Sequence, residues 1–292
     1  MQLIIITGLS GSGKSIALRV LEDSGYYCID NLPATLLPQI SHHLDASNQH
    51  KVAISIDSRS AALEALPNAI EMLKNSGVST QVLFLESSVE TLVKRFSETR
   101  RKHPLSNANT TLAESILHER ELLANIVEIS HHIDTSNLSA NSLRTYIREL
   151  ILKAEDTQHD NNQNSSLVLL FTSFGFKNGI PLDADFVFDV RSLPNPHYDP
   201  ILKPLTGKDA PVQAFLQKEP NVNEMLADIQ QYIEKWLPSF INDNRSYLTI
   251  AIGCTGGQHR SVYFVEQLAN YFGGAYFKQQ KQKVMIRHRE LD

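Results

Sequence analysis

An α/β protein of two domains is what this 292-residue sequence predicts, the first built on a parallel sheet and the second smaller. Three observations carry that expectation. Short all-apolar runs alternate with amphipathic helical patterns, a glycine-containing loop follows one such run in each half, and a single polar stretch divides the chain.

In the first half Leu3–Ile6, Val52–Ile56 and Val82–Leu85 read as strands, separated by helical periodicity near 16–24, 61–75, 88–99 and 112–125. Strands joined through helices pair in parallel, because the crossover needs the length a helix provides. Residues 153–166, Lys-Ala-Glu-Asp-Thr-Gln-His-Asp-Asn-Asn-Gln-Asn-Ser-Ser, are almost without apolar content and read as a linker between a domain at 1–152 and another at 167–292. Beyond it Leu167–Phe171, Phe186–Val190 and Leu248–Ile252 read as strands, and 222–236 and 262–272 as helices.

Composition narrows the function classes. No stretch approaches the ~18 apolar residues needed to span a bilayer, and the chain enters its first apolar run without the charged and apolar regions of a signal peptide. A cytoplasmic protein without membrane partners is expected. Cys28 and Cys254 lie far apart without metal-ligand spacing, which points to neither a disulfide framework nor a zinc site. The net charge of −5 resides in residues 1–164, while the remainder is balanced. Within that remainder Lys278, Lys281, Lys283, Arg287 and Arg289 have no acid among them, and form either an anion-binding strip or a solvated basic edge.

The loop after the first strand is Gly8-Leu9-Ser10-Gly11-Ser12-Gly13-Lys14-Ser15, with the spacing of a P-loop between an apolar strand and an amphipathic helix. In such a loop backbone N–H groups and the helix N-terminus surround phosphates, Lys14 neutralises the β- and γ-phosphates, and the Ser15 hydroxyl binds Mg²⁺. A Mg²⁺-nucleotide site also wants an acid at the end of a neighbouring strand, a place that Asp57 fits. Asp30, in Asp30-Asn-Leu-Pro33, is a second candidate that could face substrate. Arg95 and the pair Arg100-Arg101, ahead of Lys102-His103-Pro104, are either a lid-like arginine cluster or a basic helix end favoured by the macrodipole.

In the second half Cys254-Thr255-Gly256-Gly257-Gln-His259-Arg260-Ser261 joins a strand to a helix, with five residues between Cys and Arg. That spacing wraps N–H groups around a phosphate at a helix N-terminus, with Arg as a bidentate clamp and, in tyrosine-phosphatase-type enzymes, Cys as the nucleophile. Gly253 stands where those phosphatases place a histidine, and Asp189 and Asp199 are candidate general acids. Phosphate binding and a purely structural turn both remain open. Three prolines constrain the loop Asp189-Val-Arg191-Ser-Leu-Pro194-Asn-Pro196-His197-Tyr198-Asp199-Pro200, which suits His197 to ligand contact.

These motifs, with Thr99-Arg-Arg-Lys-His-Pro-Leu105 and Ser173-Phe-Gly-Phe-Lys-Asn-Gly-Ile-Pro181, make nearly the whole chain resemble the RapZ-like family of bacterial RNase adapters. The resemblance implies a P-loop kinase-like first domain with weak ATPase and GTPase activity. Gly8–Ser15 would be its ATP loop and Asp57-Ser58-Arg59-Ser60 the segment assigned to GTP; the expected cofactor is ATP or GTP with Mg²⁺, the ion falling to Ser15 and Asp57 as read above. The resemblance further implies a homo-oligomer that binds small regulatory RNA and presents it to an endoribonuclease, so controlling amino-sugar synthesis. Cys254, Thr255, Gly256, Gly257, His259 and Arg260, with Asp189 and His197, would bind a phosphorylated amino sugar. The strip from Lys278 to Arg289 would contact RNA. Two alternatives stay open: a small-molecule kinase acting through Lys14 and Asp57, and a cysteine-type phosphatase.

Overall fold

The structure is a computed structural model that describes residues 1–40, 49–60, 63–107, 109–155, 167–242, 247–274, 276–277, 280–281 and 283–291, with 153–155, 276–277 and 280–281 described by backbone alone. The chain divides into two compact units, Met1–Glu155 and Asp156–Asp292.

The first unit holds a five-stranded parallel sheet built from β1 (Gln2–Gly8), β2 (Tyr27–Ile29), β3 (Lys51–Ser55), β4 (Ser79–Glu86) and β5 (His131–Asp134). Their order is β2-β3-β1-β4-β5. Its helices are α1 (Lys14–Asp23), α2 (Leu66–Asn75), α3 (Val89–Thr99), α4 (Leu112–Val127) and α5 (Ala140–Glu155). Every residue of β1 is buried, which is why the run is apolar without alternation: a parallel strand covered on both faces has no solvent side. Helix starts are set by local chemistry. The Ser88 hydroxyl caps α3 by accepting from Thr91 N–H, and Thr111 and Glu114 form a reciprocal capping box at α4. The core joins Leu3, Ile5, Val52, Ile54 and Phe84 of the sheet to Leu92, Ile116 and Leu123 of the helices.

The second unit contains β6 (Val168–Gly175), β7 (Phe186–Asp189), β8 (Tyr247–Cys254) and β11 (Lys283–His288) in a parallel sheet of order β11-β6-β8-β7. A two-residue hairpin pairs β9 (Tyr276–Phe277) with β10 (Gln280–Lys281), and the helices are α6 (Ala210–Gln217), α7 (Pro220–Asn242) and α8 (Arg260–Gly274). Phe171 of β6 stacks on Phe272 of α8 at 5.7 Å within a core that also takes in Ile250, Ile252 and Phe264.

Several elements depart from the sequence expectation. Helix α5 continues through Glu155, three residues into the expected linker, while residues 156–166 of that linker lie outside the described residues. β2 and β5 are too short, and β5 too rich in histidine, to stand out as apolar runs. β11 corrects part of the basic strip. It pairs in register with β6, placing Arg287 opposite Thr172. Arg287 is 5 % exposed, and its guanidinium lies 3.5 Å from the equally buried Asp183. Arg287 is therefore an interior partner of Asp183 and does not belong to an exposed RNA-facing edge. Lys283 is half-buried, Arg289 is half-buried and donates to the Gly179 carbonyl at 3.2 Å, Lys281 is described by backbone alone, and Lys278 lies outside the described residues.

Two predictions follow from this interior chemistry. Arg287→Ala leaves Asp183 buried beside a lost cation, and the loss of stability in urea unfolding should be about 3–5 kcal/mol, far beyond that of a surface arginine. His131 is buried, and desolvation pushes its imidazole down to about 3 from 6.5. Only the unfolded chain takes up that proton as pH falls below 6.5, so the histidine lowers stability progressively between pH 6.5 and 3. Against wild type, His131→Phe should remove a slope of about 1.4 kcal/mol per pH unit from the acid side of the stability curve.

Candidate functional site

In the first unit the P-loop leaves β1 where that strand is clamped by β4. Leu9 N–H donates to the Leu85 carbonyl at 3.0 Å, and a Cβ on Gly8 (φ 129°) would lie 2.0 Å from that same oxygen. Only glycine can sit there. Lys14 Nζ donates to the carbonyls of Gly8 at 2.6 Å and Leu9 at 3.0 Å, folding the ammonium back over the loop. Burial lowers the Lys14 pKa, and the attraction of Glu119, followed by Asp57, opposes that fall.

The rest of the loop is held from outside. Thr135 Oγ1, just past β5, donates to the Ser12 and Glu86 carbonyls, both at 2.9 Å. Arg95 of α3 donates to the Gly11 carbonyl at 3.1 Å and to the Thr135 carbonyl at 2.7 Å. Asp57 is buried, and Arg59 of its own loop grips it through backbone N–H at 2.9 Å and guanidinium Nε at 2.8 Å. The Ser60 hydroxyl accepts from Ala34 N–H at 2.7 Å, which brings the Asp30–Pro33 turn beside the same loop. Asp30 itself, Arg100 and Arg101 are exposed.

Sequence reasoning missed Glu119 and Thr135. Glu119 is fully buried and accepts from Ser10 N–H at 2.8 Å, Ser10 Oγ at 2.7 Å, Ser58 Oγ at 2.6 Å and His103 Nε2 at 3.0 Å. Its local signal is a carboxylate on the stripe Ile116, Glu119, Leu123 and Ile126, the buried face of α4.

These residues fit a Mg²⁺-nucleotide. The Ser12 hydroxyl is buried inside the loop and lacks a hydrogen-bond partner, an orphan that a phosphate oxygen would satisfy. Ser15 is exposed at the first turn of α1, and Asp57 lies at the end of the neighbouring strand. Together with Lys14 they would hold the phosphates and their ion.

In the second unit the carboxyl ends of four parallel strands bring together Arg289 and Glu290, Phe176–Asn178, Thr255–Arg260 and the loop from Asp189 to His197. Cys254 is 3 % exposed, and its sulfur accepts from Gly257 N–H at 3.2 Å and lies 3.2 Å from Ser261 Oγ. Arg260 is buried and donates NH1 to the carbonyls of Arg191 and Leu193, both at 2.8 Å, while its Nε lacks a partner. It therefore ties the Cys254 loop to the proline-rich loop. His259 is buried too, with Nε2 3.2 Å from the Leu202 carbonyl, and burial lowers its pKa, which favours the neutral ring.

His197 is exposed, its ring 6.2 Å from that of His259. Asp189 is gripped by Arg191 as Asp57 is by Arg59, and that arginine holds its carboxyl below the usual range. The Arg191 guanidinium also lies over the Phe176 ring at 3.9 Å. Thr255 is exposed at the loop tip, Gly256 is half-buried, and Gly257 is buried with φ 75°. Asp199 instead accepts from Ile201 N–H at 2.8 Å within its own turn.

The fold and the loops define the class: an α/β chain of two units, one carrying a P-loop and the other a Cys-x₅-Arg loop, each leading into a helix. The chain belongs to the RapZ-like family. The RapZ-like N-terminal domain matches residues 1–155 and the RapZ C-terminal domain matches residues 167–292. A nucleotide-binding protein of Methylobacillus flagellatus is 62 % identical over 292 residues, covering 100 % of this chain and 99 % of that one. One from Chromobacterium violaceum is 55 % identical over 292 residues, with coverage of 100 % and 99 %. Among solved structures, shikimate kinase from Bacteroides thetaiotaomicron is 16 % identical, with 51 % of this chain and 98 % of that chain covered and a TM-score of 0.36. A gluconokinase from Sinorhizobium meliloti 1021 is 14 % identical, with coverage of 55 % and 98 % and a TM-score of 0.36. No helix among the described residues is long and apolar enough to cross a membrane.

Gly253 has a steric reason. A Cβ there would meet Phe174 Cζ at 2.4 Å and Phe176 Cε2 at 2.5 Å, so the aromatic pair fills the space that a side chain would need. Gly253→Ala should cost about 1–3 kcal/mol of stability in thermal unfolding, the range of overpacked cores, whereas Ala at the open Gly256 should cost less.

Proposed function

We propose that this protein is a cytoplasmic regulatory adaptor, gated by two anionic ligands. The first unit binds a Mg²⁺-nucleotide, ATP or GTP, with weak hydrolysis at most. The second binds a phosphorylated metabolite, which the family resemblance implies is an amino-sugar phosphate. The gated output is contact with small regulatory RNA and an endoribonuclease, made by a homo-oligomer.

One observation carries the reading. Each unit ends a central parallel strand in a tight loop that opens directly into a helix, β1 into α1 and β8 into α8, and helix N-termini at such strand ends bind phosphate groups. In the first loop Lys14 and Ser12 supply the cation and the orphan donor, with Ser15 and Asp57 placed for Mg²⁺. In the second, the exposed residues Thr255, His197 and Arg191 surround the buried Cys254, Gly257, His259 and Arg260. The nucleotide-binding names of the Methylobacillus and Chromobacterium relatives support the first half of the reading. RNA contact rests on the family resemblance and on the cations Lys278, Lys281, Lys283 and Arg289, with Arg287 engaged in the interior.

The test is binding of a structured small RNA to the intact protein across a salt series, with glucosamine-6-phosphate or ATP present or absent. Affinity that falls with salt and shifts with the sugar phosphate is expected; failure to bind RNA or any protein partner under every ligand condition overturns the adaptor. Lys14→Ala should weaken nucleotide binding at least tenfold, in line with about 1.5–3 kcal/mol for a charged hydrogen bond, and leave sugar-phosphate binding intact. His197→Ala should do the reverse. A small-molecule kinase is the second reading, favoured by the Arg95 contact with the P-loop at Gly11, and it requires a stoichiometric phosphorylated acceptor where the adaptor releases only inorganic phosphate.

A further inference from the structure

Glu119 holds together three segments that sequence keeps far apart: Ser10 of the phosphate loop, Ser58 beside Asp57, and His103, at separations of 109, 61 and 16 residues. A carboxylate accepts about four hydrogen bonds, and all four are filled here with the side chain fully out of solvent. A carboxyl group buried this way is a poor route to stability, because apolar replacement of buried charged or polar groups is often neutral or favourable. What it secures is one relative placement of its partners.

His103 makes that placement directional. Its Nδ1 accepts from Leu105 N–H at 3.2 Å, so a neutral ring carries its proton on Nε2 and donates to Glu119. Just upstream Arg100 takes a left-handed turn (φ 53°), and Arg100, Arg101 and Lys102 are exposed. The same segment leans on the loop a second way. The Phe96 ring sits 5.3 Å from that of His103, and a Cβ built at Gly11 would lie 3.3 Å from Phe96 Cε2. A shift of Ser10 is therefore felt at His103.

We propose that Glu119 is a positioning residue that locks the Arg100–Leu105 segment and the Asp57 loop to the phosphate loop, so that nucleotide capture and ordering of the cationic segment are one coupled event. The proposal rests on nucleotide binding at the P-loop, as read above. It assigns the exposed cations at 100–102 to the phosphate end of that ligand, placed there by the Glu119–His103 bond and not by the helix end alone. Coupling of this kind is reciprocal: whatever orders the segment also tightens the nucleotide.

The test uses the full-length protein, a non-hydrolysable ATP or GTP analogue as probe, and trypsin cleavage after Arg100, Arg101 and Lys102 mapped by mass spectrometry. In wild type, saturating analogue should slow cleavage at these three sites at least tenfold. In Glu119→Gln, which keeps the shape and removes the charge, analogue binding should weaken about tenfold and protection at full saturation should fall to within twofold of the ligand-free rate. His103→Ala should lose the same protection, and the double variant should be no worse than either single one. A purely structural role would lower the melting temperature without changing protection at saturation. Full protection in Glu119→Gln, or additive losses in the double variant, overturns the proposal. Should the variants fail to fold, amide exchange on wild type decides: the analogue must slow exchange at 8–15 and at 100–105 together, and slowing at 8–15 alone overturns the coupling while sparing the nucleotide site. No binding of either analogue by wild type overturns the nucleotide reading, and this proposal with it.

Discussion

Parallel pairing fixes where everything else in this chain can be. In each principal sheet every described strand points the same way, so every strand delivers its outgoing loop to one edge of its own sheet. That constraint gathers the segments after β1, β3, β4 and β5 around the P-loop, and those after β6, β7, β8 and β11 around Cys254. Loops collected this way carry carbonyls that no ladder satisfies, and such groups need donors. Side chains supply them: Lys14, Thr135 and Arg95 in one unit, Arg260 and His259 in the other. The residues that shape each edge are thus largely polar side chains bonded to backbone, which is also the chemistry that receives a phosphate.

What sequence could and could not reveal follows from the range of each interaction. β1, β3, β4, β6 and β8 were legible because burial on both faces makes them unbroken apolar runs. The P-loop was legible because its chemistry lies within eight consecutive residues. β11 was not, since Lys283, Arg287 and His288 make it look like a charged edge. Arg287 is accommodated by Asp183, 104 residues away, and His288 by Ser173 at 2.8 Å and Glu266 at 3.0 Å. Glu119 fails to announce itself for the same reason, apart from its place on a buried helix face. Local motifs survive translation into sequence, and long-range polar pairings do not.

The steric block at Gly253 bears on chemistry as well as packing. The ring of Phe176 occupies space that a side chain at position 253 would need, and that ring also carries the guanidinium of Arg191. The loop therefore gives up an acid–base group beside Cys254 and gains a platform that holds a cation at the mouth of the loop. The sulfur is correspondingly used as an acceptor for Gly257 N–H, a structural role that closes the turn around its own backbone. Such an arrangement suits holding an anion better than attacking one.

The two units share one further device. Asp57-Ser-Arg59 and Asp189-Val-Arg191 form the same fork, with arginine N–H on Oδ1 at 2.9 Å in both and the guanidinium folded onto the carboxylate. Arg191 and Asp189 are both exposed, at 49 % and 44 %, and an exposed pair of this kind contributes only about 0–1 kcal/mol, whereas the Asp57 side chain under Arg59 is 11 % exposed. Stability does not explain their presence in both places. What the two share is position: each fork holds a guanidinium at the carboxyl end of a strand, in the unit's edge of helix-opening loops, with its charge balanced by the aspartate. Phosphate offers the same bidentate geometry with more charge, and of the two forks the exposed Arg191–Asp189 pair is the one whose carboxylate holds its arginine less tightly.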